Sequence, residues 1–203
     1  WSSDVCSSDL KEKFLKIIQV EAERMQRLVN DTLSLTRVEE SEYQTPNERV
    51  SLWYCANSAC DSVQTLADKK NIKISFQKEY QKDEFFIKGN ADQITEVFEN
   101  LLDNAITYSK DDTNITIAFS EKEENIEFKI IDQGHGIPKD DIVRVSERFF
   151  RSKTANMYKK NSSGLGLAIV KHIINRHAGS LLIESTEGKG STFTITLPKF
   201  PEI

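Results

Sequence analysis

The sequence has few of the residues that cross-link a chain and no segment that would place it in a membrane. Its three cysteines (Cys6, Cys55 and Cys60) include no CxxC pair, which argues against a disulfide framework and against a zinc site. No run approaches the roughly 18 consecutive apolar residues of a membrane-spanning helix. The first ten residues lack the basic and apolar regions of a signal peptide. We therefore expect a soluble protein of a reducing compartment, or the cytosolic part of a larger one.

Positive charge is also scarce. The chain has 27 Lys and Arg against 32 Asp and Glu, a net charge of −5, and no basic stripe of the kind that nucleic-acid-binding proteins carry. We expect no nucleic-acid partner. A nucleotide needs only local cations, so this balance leaves nucleotide binding open. With 203 residues, of which 38% are hydrophobic, the chain can bury a core without disulfides or metals.

The N-terminal part divides into three segments. Residues 1–10 repeat Ser-Ser-Asp without apolar periodicity, and we interpret them as a non-native leader. In residues 11–42, apolar side chains such as Phe14, Ile18 and Met25 recur at spacings of three and four, which predicts a helix. A helix of about 30 residues spans about 45 Å, more than a compact domain of this size would cover. Such a helix packs either on its own domain or in a bundle with partner helices, and we favour the bundle. Residues 43–50 are a polar, proline-containing linker.

Residues 51–203 alternate between helical and strand patterns. The patterns predict helices over 51–70, 90–108 and 164–177, and strands over 72–76, 85–88, 115–119, 126–131, 181–184 and 192–197. Five or six strands with three helices indicate a mixed α/β layer architecture.

The predicted helix over 90–108 carries a polar row opposite its apolar face. Glu96, Asn100 and Asn104 recur every fourth residue. Asn competes with the helix for backbone hydrogen bonds and is a poor helix former. This row is either a solvated surface or a set of carboxamide oxygens that face a cation such as Mg²⁺, whose other ligands would be phosphates and water.

Two glycine-containing segments suggest ligand contacts. Asp132 ends a buried-strand pattern and precedes Gly134 and Gly136, so its carboxylate could accept a bond from a purine amine while the glycines let the backbone approach the base. A plain turn would look similar. Gly164 and Gly166 lead into an apolar helix, whose first amides could bind phosphate, although tight packing on a sheet would also explain them. Neither the dinucleotide fingerprint nor a P-loop is present.

Taken in order, ENLLDNAITYS, DQGHGIP, ERFFR, SSGLGLAIVKHI and GKGSTF resemble the N, G1, F, G2 and G3 boxes of the sensor histidine kinase ATP-binding domain, over residues 51–199. ERMQRLVNDTLSLTRVE, within residues 11–42, resembles the second helix of the dimerisation and phosphotransfer hairpin of that family. The segment KHIINRHAGSLLIESTEGKGSTFTITLP is similar to phosphate-regulon-type sensors.

The resemblance implies a two-layer α/β sandwich of the histidine kinase, gyrase and Hsp90 ATPase type over residues 51–203, preceded by a long helix from a dimeric four-helix bundle. It implies transfer of the γ-phosphoryl group of Mg–ATP to a His on a helix absent from this chain, and then to the receiver domain of a response regulator. It further implies a homodimer through residues 11–42 once the hairpin is complete. The chain would be the cytoplasmic domain of a bacterial inner-membrane protein, reaching the membrane only through missing N-terminal segments.

The resemblance also implies the site residues. The ATP-binding set is Asn100, Asn104, Tyr108, Asp132, Gly134, Gly136, Ile137, Lys153, Gly164, Leu165, Gly166 and Thr192. Asn104 would bind Mg²⁺, and the catalytic set would be Asn100, Asn104, Arg148 and Arg151. Phe149 and Phe150 would anchor a mobile lid over residues 138–163.

The sequence also departs from the family pattern. Thr107 stands where the family usually has Lys, and Ser162 where it usually has Gly. No His precedes His135, and His135, His172 and His177 match no phospho-acceptor motif. We interpret His135 as a solvent-facing turn residue and the other two as helix-surface or cap residues. Two alternatives stay open: a serine/threonine kinase or ATPase of the same superfamily, and a nucleotide-binding scaffold without catalysis.

Overall fold

The computed structural model describes residues 3–40, 46–77, 85–152 and 163–201. These residues form four helices, which are α1 (Ser3–Glu40), α2 (Leu52–Lys69), α3 (Ala91–Tyr108) and α4 (Gly166–Arg176). They also form seven strands, which are β1 (Glu48–Ser51), β2 (Lys73–Phe76), β3 (Phe86–Gly89), β4 (Asn114–Lys122), β5 (Asn125–Ile131), β6 (Ser180–Thr186) and β7 (Gly190–Pro198).

Five of the strands form one mixed sheet, in the order β2-β4-β5-β7-β6. The β2 and β4 strands are parallel, and the other neighbours are antiparallel. Buried residues alternate with partly exposed ones along β4 and β5, so one face of the sheet is apolar. Helices α2, α3 and α4 cover that face. The predicted two-layer α/β sandwich is confirmed.

The core lies between the helices and the sheet. Phe98 of α3 and Phe128 of β5 are fully buried, with ring centroids 4.3 Å apart. Stacked aromatic rings of this kind add to the stability gained from burying apolar area. The N-terminal end of α3 is held as well, because Asn90 caps its first turn by accepting a hydrogen bond from the amide of Gln93 at 2.9 Å. The polar row of α3 therefore sits on a rigid support.

The boundaries differ from the sequence prediction at two places. Helix α1 begins at Ser3, so the segment interpreted as a leader continues the helix, and it contains no Pro or Gly that would end it. The predicted linker over 43–50 includes most of β1, which pairs with β3 so that Val50 faces Ile87. Strand β1 is four residues long and begins with Glu48 and Arg49, so its alternation is too short to stand out.

Helix α1 contacts the sandwich only near its C-terminal end. Leu35 is 6% exposed, and Ser34 Oγ donates a hydrogen bond to Glu96 Oε1 on α3. Many of its other large apolar side chains are exposed, including Phe14, Ile18 and Met25. Within the described residues, no helix combines the length and apolar character needed to span a bilayer.

Candidate functional site

A cleft of about 600 Å³ opens between α3, the loop that follows β5 and the start of α4. Most of the residues predicted as site residues line it: Asn100, Asn104, Tyr108, Asp132, Gly136, Ile137, Arg151, Gly164 and Gly166. These side chains come from segments far apart in sequence. Ser191 and Phe193 of GKGSTF also line the cleft, so the structure brings all five of the predicted motifs together around one cavity.

Asp132 lies at the floor of the cleft and is 7% exposed. Its Oδ1 atom accepts hydrogen bonds from the amides of Gly134 at 2.8 Å and Ser191 at 3.1 Å. Burial raises the pKa of the carboxyl above its usual value, while these two amide bonds oppose the rise. Among the described residues, no donor reaches Oδ2. The arrangement fixes the carboxylate and leaves one oxygen available to a ligand that donates a hydrogen bond.

The loop after Asp132 is fixed to the elements on both sides of it. The amide of His135 donates to the carbonyl oxygen of Tyr108 at 3.0 Å, and the amide of Ile137 donates to Ser185 Oγ at 2.8 Å. Gly136 has a φ of +68°, and a Cβ atom there would lie 2.2 Å from the carbonyl oxygen of Thr186. Only glycine fits at this position. Gly134 is buried beneath the loop, and its amide serves Asp132.

The polar row of α3 faces the start of α4. Asn100 Nδ2 donates to the carbonyl oxygen of Glu96 at 2.9 Å, which fixes the orientation of the carboxamide. Its Oδ1 atom points at Gly166, where an added Cβ atom would lie only 2.7 Å away. Asn104 is half-buried in the cleft, and its side chain forms no hydrogen bond with the described part of the chain. Both carboxamides are thus placed to meet a ligand.

The N-terminus of α4 contributes backbone donors. Gly166 and Leu167 line the cleft, and Leu165, at the N-cap, provides no side-chain cap. The first amides of a helix have no partner within the helix and bind anions. Leu165 itself is 1% exposed, and its amide donates to Ser163 Oγ at 3.1 Å. Its side chain belongs to the core rather than to the cleft.

Thr192 is the predicted nucleotide contact that the structure places elsewhere. It pairs with Ile131 and Glu184, in a row of partly exposed residues on the sheet face opposite the helices. Its neighbour Ser191 lines the cleft and donates its amide to Asp132. Because successive side chains along a strand point to opposite faces of the sheet, Ser191 and Thr192 lie on different faces, and only Ser191 faces the cleft.

The predicted cations are only partly assembled. Arg151 lines the cleft, whereas Arg148 is exposed and outside its lining, and Lys153 lies outside the described residues. Three cationic residues that sequence reasoning missed line the cleft instead: Arg27 of α1 and Lys69 and Lys70 at the end of α2. Lys69 and Lys70 belong to no motif, whereas Arg27 lies in ERMQRLVNDTLSLTRVE, a segment whose resemblance to the hairpin helix implied no site role for it. The only sequence signal was the position of the two lysines at a predicted helix end.

The first half of the predicted lid has local structure. Successive turns run through residues 138–150, with bonds such as Asp141 N to Pro138 O at 2.9 Å. Phe150 lines the cleft, and the Arg144 guanidinium lies 4.3 Å from its ring centroid. This packing agrees with its predicted role as an anchor of the lid. Phe149 is 63% exposed, so its predicted anchoring role is wrong. Its amide donates to the carbonyl oxygen of Gly164 at 2.9 Å, and that backbone bond ties the lid to α4. Residues 153–162, including Ser162, lie outside the described residues.

Two histidines can be compared with the prediction. His177 is the C-cap of α4, one of the two predicted roles, but it is 5% exposed, and its Nε2 atom accepts a bond from the amide of Asn90 at 3.1 Å. Its Nδ1 atom donates to the carbonyl oxygen of Ile173 at 2.8 Å. These two bonds require the neutral ring, and burial lowers the pKa of His177. His135 is half-buried at the cleft, where burial and the charges of Lys110 and Lys70 lower its pKa.

A divalent cation fits this cleft only together with a ligand. The described residues contain no group of three or more His, Cys, Asp or Glu side chains able to hold a metal. The cleft offers the oxygens of Asn100 and Asn104 instead. Mg²⁺ is commonly held by one or two protein oxygens plus substrate phosphates and water, so these residues fit a phosphate-bound Mg²⁺.

Comparison with known proteins gives consistent matches. Residues 89–201 match the family described as histidine kinase-, DNA gyrase B- and HSP90-like ATPase. The chain is 34% identical to the sensor histidine kinase WalK of Bacillus subtilis over 194 residues, which cover 95% of this chain and 31% of WalK. It is 34% identical to the phosphate regulon sensor protein PhoR of Pseudomonas aeruginosa over 180 residues, or 89% of this chain and 40% of PhoR. The structure of the mycobacterial sensor histidine kinase MprB matches with a TM-score of 0.63 and 26% identity, over 77% of this chain and 99% of that one. The chain spans less than half the length of WalK or PhoR.

Proposed function

Because the chain belongs to the histidine kinase-, DNA gyrase B- and HSP90-like ATPase family and is the ATP-binding catalytic part of a sensor histidine kinase, we propose that the protein transfers the γ-phosphoryl group of Mg–ATP to a histidine. The acceptor would lie on a helix outside residues 1–203, and the phosphoryl group would pass from there to the receiver domain of a response regulator.

The geometry of Asp132 carries this proposal. A buried carboxylate with one oxygen fixed by two amides and the other facing the cleft is suited to accept a bond from the exocyclic amine of adenine. Guanine presents an acceptor oxygen at the corresponding ring position, so the same carboxylate would disfavour it. The site therefore favours ATP over GTP.

The phosphate groups would lie between α3 and α4. Amides at the start of α4, including that of Gly166, would bind the phosphate oxygens, and Arg151 would add positive charge. The carboxamide oxygens of Asn104 and Asn100 would hold Mg²⁺, which neutralises charge on the phosphates when bound. Catalysis of phosphoryl transfer rests mainly on such positioning and charge neutralisation.

His177 does not suit the role of acceptor, since it is buried and both its ring nitrogens are bonded. Helix α1 offers a docking face for the helix that would carry it. The exposed apolar side chains of α1, including Phe14, Ile18 and Met25, would pack in a homodimeric bundle. The whole protein would reach a bacterial inner membrane through segments outside this chain, with these residues on the cytoplasmic side.

Calorimetry and phosphotransfer test the proposal together. The chain should bind ATP with Mg²⁺ more tightly than GTP, and it should label an added protein fragment that carries the acceptor hairpin with ³²P from γ-labelled ATP. The label should be acid-labile, as phosphohistidine is, and absent with Asp132→Asn. Tight ATP binding without labelling would favour a nucleotide-binding scaffold, and acid-stable labelling would favour a serine/threonine kinase.

A further inference from the structure

We propose that Lys70, which belongs to none of the sequence motifs, is a positioning residue that fixes the base-side wall of the cleft. Its effect on nucleotide affinity rests on the proposed function. Its effect on the structure of the wall does not.

Lys70 reaches from the end of α2 to the end of α3. Its ammonium group donates to the carbonyl oxygens of Ile106 at 2.9 Å, Thr107 at 2.8 Å and Ser109 at 3.1 Å. The backbone of Lys70 is anchored separately, because its carbonyl oxygen accepts a bond from the amide of Asp112 at 3.0 Å. The side chain can therefore be altered without removing the contact that places its Cα atom.

These bonds complete the C-terminal end of α3. The last four carbonyl groups of a helix have no partner within it. In α3, that of Ala105 accepts from the amide of Ser109, and that of Tyr108 accepts from the amide of His135, both at 3.0 Å. The two carbonyl groups between them are those bound by Lys70. A cation at this end also interacts favourably with the helix dipole.

The same end of α3 forms the wall against which a base would lie. Tyr108 lines the cleft, and its carbonyl group holds the loop that begins at Asp132. Ser109 forms a β-bridge with Gly134, whose amide binds the Asp132 carboxylate. The loop is thus attached to α3 at Tyr108 and at Ser109. Lys70 binds the carbonyl group of Ser109 and that of Thr107, the residue before Tyr108. Without this ammonium group, the carbonyl groups at the end of α3 lose the donor that they share. The loop that begins at Asp132 would then be attached to a less firmly held helix end.

Lys69 provides a matched control. It precedes Lys70, lines the same cleft and is exposed, and its side chain forms no hydrogen bond with the described residues. Lys69→Met therefore removes the same charge from the same turn without touching α3. If positive charge near the cleft were all that mattered, the two substitutions would have similar effects.

The experiment compares Lys70→Met, Lys70→Arg and Lys69→Met in two measurements. In the ligand-free protein, Lys70→Met should accelerate hydrogen exchange at the amides of Gly134 and His135 and leave α4 unchanged. In calorimetry, Lys70→Met should lower the affinities for AMP, ADP and ATP by the same factor, about tenfold for the loss of a charged hydrogen-bond donor. Lys70→Arg should keep most of the slow exchange and most of the nucleotide affinity of the unaltered chain. Lys69→Met should change nucleotide affinity less than about twofold.

Each possible result either supports or overturns the positioning role of Lys70. A loss that grows from AMP to ATP would make Lys70 a phosphate ligand and overturn the positioning role, as would unchanged exchange at His135. If Lys70→Met does not fold, Lys70→Gln, which keeps one donor group, provides the same exchange comparison. If the unaltered chain binds no adenine nucleotide, the proposed function fails, and the exchange measurement still decides the role of Lys70.

Discussion

The amide of Ser191 donates a hydrogen bond to Asp132 Oδ1 at 3.1 Å, although 59 positions separate the two residues in sequence. The contact joins the end of β5 to the start of β7 within the floor of the cleft. It keeps one carboxylate oxygen occupied and directs the carboxylate toward the space where a ligand would bind. Under the proposed function, the base specificity of the site would depend on this pair.

Asp132→Asn should weaken ATP binding about tenfold or more and GTP binding less. A charge-assisted hydrogen bond contributes about 1.5–3 kcal/mol, and the amide that replaces the carboxylate must orient its single acceptor oxygen. Competition calorimetry with both nucleotides measures the effect. Asp31→Asn, which removes a charge that lines the same cleft from α1, serves as the control and should alter both affinities little. Equal losses for ATP and GTP with Asp132→Asn would refute the role in reading adenine.

Asn104→Ala should abolish Mg²⁺-dependent ATP binding or turnover and leave the fold intact. Ala is the better helix former, and the Asn104 side chain has no hydrogen bond to lose within the described residues. Calorimetry with Mg²⁺ and with EDTA separates the metal-dependent part of binding. Asn175→Ala, an exposed carboxamide on α4 away from the cleft, is the control. If affinity with Mg²⁺ is unchanged, Asn104 is not a metal ligand.

Gly136→Ala should destabilise the protein more than Gly188→Ala does. Both glycines have positive φ, +68° and +80°, so each alanine would be strained by about 1 kcal/mol. Only at Gly136 would the new Cβ atom also meet a backbone oxygen, at 2.2 Å, whereas nothing lies within 4 Å at Gly188. The clash should add roughly 1–3 kcal/mol to the loss in free energy of unfolding. Urea denaturation of the two variants measures the difference, and equal midpoints would contradict it.

Burial of His177 should make stability depend on pH. Because its folded pKa is lowered, the unfolded chain binds more protons just below pH ~6.5, the usual value for histidine. The contribution of His177 is therefore complete above about pH 6.5 and declines as the pH falls toward the folded pKa. The stability advantage of the unaltered chain over His177→Gln should shrink between about pH 7 and pH 5. Denaturant unfolding across this range tests it, and parallel curves would show that His177 does not titrate as the buried ring requires.

Nucleotide should slow hydrogen exchange over residues 152–163. This part of the lid contains Lys153, Lys159 and Lys160, which would gain charge-assisted contacts only when phosphates are present. Exchange with and without a non-hydrolysable ATP analogue measures the change. Residues 138–150, which already form hydrogen-bonded turns, should change less. If protection over 152–163 is the same in both states, the segment is a surface loop and not a lid.

The sequence predicted the fold because the signals it depends on are local. The strands of the main sheet alternate strongly, and α3 carries a clear apolar face, so both elements were found with nearly correct ends. Strand β1 was missed because its four residues are too few to show a period and it is stabilised by pairing with β3, 35 or more positions away along the chain. Local pattern contains no information on such a pairing.

The site was predicted where a residue type determines its role and missed where the role comes from packing. Gly136 and Asp132 were found because few residues could replace them. The resemblance implied Thr192, whereas Ser191 lines the cleft, because the register of β7 with β5 decides which of the two residues occupies that face. Lys70 was missed because its partners lie 36 or more positions away on another helix.

The position of β7 in the sheet has a consequence for protein synthesis. This strand inserts between β5 and β6, near the end of the described chain, and supplies Ser191 to the cleft floor. A nascent chain emerges from the ribosome N-terminus first, at about 5–20 residues per second. Until residues up to Pro198 have left the exit tunnel, β5 has an open edge and the Asp132 carboxylate lacks one of its two amide donors. A nucleotide that binds as proposed would therefore meet an incomplete cleft floor until translation has passed β7.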